Sequence, residues 1–186
     1  MSQLAGKKIL ILATHGFEQS ELEVPHAELK KAGATVEIVS PEAGEIKGWK
    51  HKDWGLPVKV DRRLDEVKAE DYDAIVLPGG QMNPDTLRGN DKALALIKDF
   101  YDGGKVVAAV CHGPWLLIDT GIAKGRKLTS WPTVRQDLVN AGAQWEDREV
   151  VTDKGVITSR KPDDLKAFVA KIVEEVREGR HQRQAA

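Results

Sequence analysis

The sequence has one cysteine in 186 residues. That excludes an internal disulfide and any cysteine-rich zinc site. It also fits a reducing compartment, where a free thiol survives. Charge of one sign is not in excess. Twenty-eight basic residues face twenty-nine acidic ones, and the formal net charge is -1. No basic surplus points to nucleic acid or to an anionic membrane surface. No stretch approaches the ~20 apolar residues that span a bilayer. The apolar start Lys7–Ala13 is too short for a signal peptide, and Thr14-His15-Gly16-Phe17-Glu18 offers no small-residue cleavage site. The cytoplasm is the expected location. His26 and His51 have no ligand partners at metal spacing and receive no role, His181 lies in the tail, and no metal and no cofactor are expected.

Charged residues make up 31% and hydrophobic ones 41%, as in a globular domain with a proper core. One domain is expected over 1–186, with its core at about 7–178 and a polar, frayed tail from Gly179. Lys8–Ala13 reads as a buried strand, Glu21–Ala32 as a helix stopped by Gly33, and Thr35–Val39 as a second strand. Pro25 either sits in the first turn of that helix or bends it. Such a βαβ unit makes the sheet parallel there. Residues 41–60 break the rhythm with glycines and prolines. They predict small antiparallel strands, chiefly Pro57–Val60, and Trp49 and Trp54 lie in this insertion as packing or subunit contacts. Tyr72–Leu77 and Val106–Val110 are further buried strands. Asn90 caps a helix with apolar positions 93, 94, 97, 100 and 101. Late strands at Glu149–Thr152 and Val156–Ser159 turn at Asp153-Lys154-Gly155. A periodic stripe from Leu165 to Val176 follows Pro162. The fold class is α/β: a single-domain, doubly wound, mostly parallel sheet with helices on both faces, flavodoxin-like.

The chemistry centres on Val106 to Leu117. An uncharged strand runs into Cys111-His112, Gly113 breaks the chain, and Pro114 opens a helix. A strand–turn–helix elbow lifts a thiol out of the sheet toward the positive end of a helix, which lowers its pKa. Ligands of such sheets bind beyond the carboxyl ends of the strands. That rule gathers Glu18, Gly79-Gly80 and Cys111-His112 at one edge.

Ala109-Val110-Cys111-His112-Gly113-Pro114, Gly16-Phe17-Glu18-Gln19-Ser20-Glu21, Leu77-Pro78-Gly79-Gly80 and Ser159-Arg160-Lys161-Pro162-Asp163-Asp164-Leu165 resemble the PfpI family of intracellular proteases, within the superfamily of the Parkinson-linked deglycase. The resemblance covers about 7–175. It implies Cys111 as nucleophile with Glu18 as its close acid partner. It implies His112 as catalytic, oriented by an acid of a neighbouring subunit, which by position is Asp85. The amides near Gly79, Gly80 and His112 would cradle an oxyanion. Each such donor is worth ~10²–10³ in rate in a hydrolase. His15, Gly113 and Trp115 are candidate pocket residues. Adjacent residues rarely face each other, so the His112 ring need not touch the sulfur.

Three functions follow. The first is a cysteine-dependent stress-protection enzyme acting on dicarbonyls or their early adducts, of glyoxalase III or deglycase type. The second is an intracellular cysteine peptidase for short peptides. The third is a redox-sensing or chaperone-like stress protein without turnover. A small aldehyde, adduct or peptide and further copies of the chain are the expected partners. A class I glutamine amidotransferase is excluded, because Gly-x-Cys-x-Gly and a later His-x-Glu are missing.

Overall fold

The computed structural model describes residues 2–183. In chain order the elements are β1 (Lys8–Leu12), α1 (Gln19–Lys31), β2 (Thr35–Ser40), β3 (Glu45–Lys50), β4 (Asp53–Lys59), β5 (Arg62–Arg63), β6 (Ala74–Leu77), α2 (Met82–Arg88), α3 (Asp91–Asp102), β7 (Val106–Val110), α4 (Trp115–Asp119), β8 (Lys127–Leu128), α5 (Arg135–Asn140), β9 (Gln144–Trp145), β10 (Val151–Asp153), β11 (Val156–Ser159) and α6 (Leu165–Glu178). Seven strands form the main sheet in the order β10-β11-β7-β6-β1-β2-β5. All neighbours are parallel except β10 and β11. This is a flavodoxin-like sheet. β6 and β7 are buried at every position because helices cover both faces. One face packs Leu22, Leu29, Phe168 and Ile172 of α1 and α6. The other packs Leu96, Ile97 and Phe100 of α3 with Leu116 and Leu138.

The structure corrects several boundaries. Helix α1 begins at Gln19, two residues before the expected Glu21, because the Glu18 carboxylate accepts from the Glu21 N–H and caps the helix. Pro25 therefore lies in the second turn, where it removes the N–H that the Glu21 carbonyl would accept. The insertion is a hairpin of β3 and β4, wider than Pro57–Val60, with an irregularity between Lys47 and Trp49. Pro57 is tolerated there because a two-stranded ribbon leaves one side of each strand unpaired. Trp49 and Trp54 meet edge to face at 5.4 Å across it. Helix α2 was not expected; Pro84 fits its first turn.

The tail is not frayed as far as Arg183. The His181 N–H donates to the Gly104 carbonyl at 2.7 Å. The Arg183 guanidinium donates to the carbonyls of Lys105 and Lys154 at 2.7 and 2.9 Å. It also packs over the Tyr101 ring at 4.4 Å. Polar residues dock here by capping backbone oxygens rather than by burying apolar surface, a signal that composition does not carry. The rest of the tail, 184–186, lies outside the described residues.

Candidate active site

β7 delivers Cys111 at the carboxyl edge of the sheet. Cys111 has φ 63°, the left-handed region that a residue with a Cβ rarely enters. Two neighbours hold it there. Its N–H donates to the Ser159 carbonyl at 3.0 Å, and its carbonyl accepts from the Trp131 N–H at 2.9 Å. Gly113 follows because a Cβ there would stand 2.6 Å from the Leu77 carbonyl oxygen. The elbow can turn only against β6. Helix α4, after Pro114, has only five residues, so the expected help from a helix dipole is small. The Gly80 and His112 amides favour the ionised sulfur instead.

The acid beside the sulfur is Glu21, not Glu18. Glu21 is fully buried, and its Oε2 accepts from the Gly79 N–H at 2.7 Å. Gly79 has to be glycine: a Cβ would stand 2.5 Å from Glu21 Oε2 and 2.7 Å from Cys111 Cβ. The Gly79 N–H is thus spent on Glu21 and is not free for an oxyanion, contrary to expectation. Glu21 Oε1 has no hydrogen-bond partner of good geometry among the described residues, and the carboxyl interacts with the Cys111 thiol. Glu18 is half-buried at the cavity rim. Its carboxylate is occupied by the Ser20 hydroxyl and the Glu21 N–H. The physical reason is helix phase: with Gln19 as the first helical residue, position 21 turns inward with Leu22, Pro25 and Leu29.

Burial, then the nearby Glu18 charge, push the Glu21 carboxyl up to about 8, against partial relief from the Gly79 N–H and Cys111. Glu21 is therefore mostly protonated at neutral pH. Burial, then the Glu21 charge, also push the Cys111 thiol up, while the Gly80 and His112 amides pull it back. The expected lowering of the thiol is not seen. A residue only 7% exposed, and facing an acid, cannot ionise easily while that acid is also charged. The two groups titrate as one pair.

His112 does touch the sulfur. Its Nδ1 lies 3.2 Å from Cys111 Sγ. The ring is fixed by stacking on Trp131 at 6.1 Å and by an edge contact with Trp115 at 5.0 Å. Burial lowers its pKa, which favours the neutral imidazole. No carboxylate of the described residues bonds to His112. Asp85 is exposed on α2.

The thiol opens into a cavity of about 590 Å³ walled by Trp49, Met82, Trp131 and Pro162, with Glu18 and Glu21 as its acids. The three expected pocket residues do not line it. His15 is exposed, and its Nδ1 accepts from the Lys47 N–H at 3.0 Å. Gly113 is pressed against backbone. Trp115 lies behind His112 and donates to Asp137. Sequence reasoning also missed Asn83. Buried on α2, it accepts from the Thr14 N–H at 2.8 Å and donates to the Pro78 carbonyl at 2.9 Å. It ties the loop after β1, which leads into α1 and Glu21, to the loop that carries Gly80. Its only signal was a polar residue next to Pro84 in an unassigned loop.

Fold and site together define a flavodoxin-like α/β protein with a thiol–carboxylic acid pair at the carboxyl edge of its sheet. The chain matches the DJ-1/PfpI family over residues 7–175 and belongs to it. It is 46% identical over 170 residues to "Deglycase TK1284" of Thermococcus kodakarensis, covering 91% of this chain and 99% of that one. It is 43% identical to "Putative cysteine protease YraA" of Bacillus subtilis, covering 87% and 94%. Among solved structures, a two-domain protein from Anabaena variabilis with DJ-1/ThiJ/PfpI-like and ferritin-like domains superposes with TM-score 0.86 at 36% identity. That match covers 91% of this chain and 48% of the other, so the chain spans about half of the two-domain protein. Among the described residues, no helix is long and apolar enough to cross a membrane.

Proposed function

We propose that this chain is a cysteine-dependent enzyme acting on reactive dicarbonyl compounds or their early adducts, of deglycase or glyoxalase III type. The observation that carries this is the Glu21 carboxyl. It is buried, mostly protonated at neutral pH and set against the Cys111 thiol at the floor of a small, mostly apolar cavity. Relatives named deglycases support the same class.

For methylglyoxal the steps balance without a co-reactant other than water. Cys111 gives its S–H proton to water and its Sγ adds to the aldehyde carbon, while Glu21 gives its proton to the carbonyl oxygen, forming a hemithioacetal and leaving the Glu21 carboxylate. The Glu21 carboxylate then removes the proton from that carbon and returns it to the neighbouring carbon, while the hydroxyl proton passes to the ketone oxygen, so that the first carbon becomes a carbonyl and the ketone an alcohol. The product is a hydroxyacyl thioester. Water hydrolyses it, releasing the hydroxy acid and the thiol, and Glu21 regains from water the proton that the thiol released at the start. The Gly80 and His112 amides, which favour the ionised sulfur, would donate to negative charge on it or on an adjacent oxygen. Asp85 is the candidate acid for His112, supplied by a second copy in a homo-oligomer. Its exposure on α2 beside the exposed Met82 supports that assignment.

The His112 contact at 3.2 Å favours a second reading, hydrolysis of short peptides. Turnover of methylglyoxal, of its adducts with amines and of short peptides, measured side by side on one preparation, separates the two. Loss of methylglyoxal with hydroxy acid formed in equal amount is expected. Peptide cleavage without dicarbonyl turnover contradicts the first reading and leaves the second.

A further inference from the structure

The molecule carries a second cluster of ligating side chains, far in sequence from Cys111. Helix α6 ends at Glu178, and Gly179, with φ 94°, turns the chain back. The bond from the His181 N–H to Gly104 fixes the returning segment. His181 is thereby laid against Glu175 and Glu178, which share one helix face at i, i+3. One ligand atom from each of the three lies within 4.8 Å of the others.

Two observations set this cluster apart from a solvated acidic patch. Glu175 is only 8% exposed. Its one ion pair among the described residues is with His181, at 3.4 Å. His181 Nε2 is shielded from water and has no hydrogen-bond partner among the described residues. A buried carboxylate and a buried imidazole nitrogen thus face each other with no hydrogen bond between them. Two of the nearby cations are engaged elsewhere. Lys171 pairs with Glu174 at 2.8 Å, and Arg183 is bound to backbone carbonyls. The free carbonyls at the end of a 14-residue helix add a negative field.

We propose that Glu175, Glu178 and His181 form a binding site for Zn²⁺ that pins the C-terminal segment to α6. An imidazole with two carboxylates, and room for water at a fourth position, suits zinc. The imidazole weighs against calcium or magnesium, which take oxygen ligands. The site is independent of the function proposed for Cys111.

The active-site thiol could also capture zinc, so the test uses Cys111→Ser protein stripped with EDTA and titrated calorimetrically with zinc chloride. One zinc per chain is expected. Affinity should fall at least tenfold in Glu178→Gln and in His181→Gln made in the same background. Glu178 is exposed, so its variant leaves the fold intact. At about 100-fold excess over Kd, zinc should raise Tm by about 5–10 °C, and that rise should vanish in both variants. Absence of binding in the Cys111→Ser protein overturns the proposal. So does equal affinity in all three proteins.

Discussion

Cys111→Ser should lower methylglyoxal turnover on the order of 10⁴-fold or more, to the background rate, with the fold unchanged. Serine fits the elbow, because the turn is held by backbone bonds to Ser159 and Trp131 and not by the sulfur. What is lost is the nucleophile. A hydroxyl in this cavity has no strong base beside it at neutral pH: Glu21 holds most of its proton, and no carboxylate among the described residues bonds to His112 to raise its basicity. Hydroxy acid formation by wild type and variant, with circular dichroism as the fold control, checks this. Equal rates would remove Cys111 from the mechanism.

Glu21→Gln should lower kcat/KM by about 10²–10⁴-fold, the usual contribution of a placed general acid–base group. The amide keeps an acceptor for the Gly79 N–H but cannot give or take a proton. The pH profile gives the sign. Activity depends on a protonated Glu21, so wild-type kcat/KM should fall as pH rises through about 8. That alkaline limb should be missing in Glu21→Gln. Glu18→Gln should act differently. Its charge helps hold the Glu21 proton, so the limb should move to lower pH with only a modest loss at neutral pH. If Glu18→Gln were the damaging change and Glu21→Gln mild, Glu18 would be the acid after all.

The contrast between those two glutamates shows where the sequence was legible. The Val106–Val110 strand, Cys111-His112 and the glycine after it identify the elbow, because strand burial, a sharp turn and a helix start each leave a local mark. Which acid meets the sulfur depends on helix phase, and that turned on whether α1 begins at residue 19 or 21. Glu is an uncommon cap, so Glu18 did not announce the start. The apolar positions did carry a usable signal: Leu22, Pro25 and Leu29 recur at helical spacing, and Glu21 shares their face. A carboxyl on the apolar stripe of a helix, opposite a lone cysteine, is the better candidate. The His112–Sγ contact was unreadable because neighbours in a chain face each other only in unusual backbone, here Cys111 at φ 63°. The docked tail was unreadable for another reason. Arg183 is held by carbonyls of Tyr101, Lys105 and Lys154, about 30 to 80 positions away, and such bonds leave no periodicity.

The central claim is that a neutral, buried Glu21 sits against the Cys111 sulfur at physiological pH. Carbon NMR of the glutamate carboxyls, with Glu21 assigned by its loss in Glu21→Gln, follows that proton directly as pH is raised. A midpoint near 8 is expected in wild type, shifted by Cys111→Ser because the thiol interacts with the carboxyl. A Glu21 midpoint in the ordinary range near 4.5, unmoved by Cys111→Ser, would contradict the account.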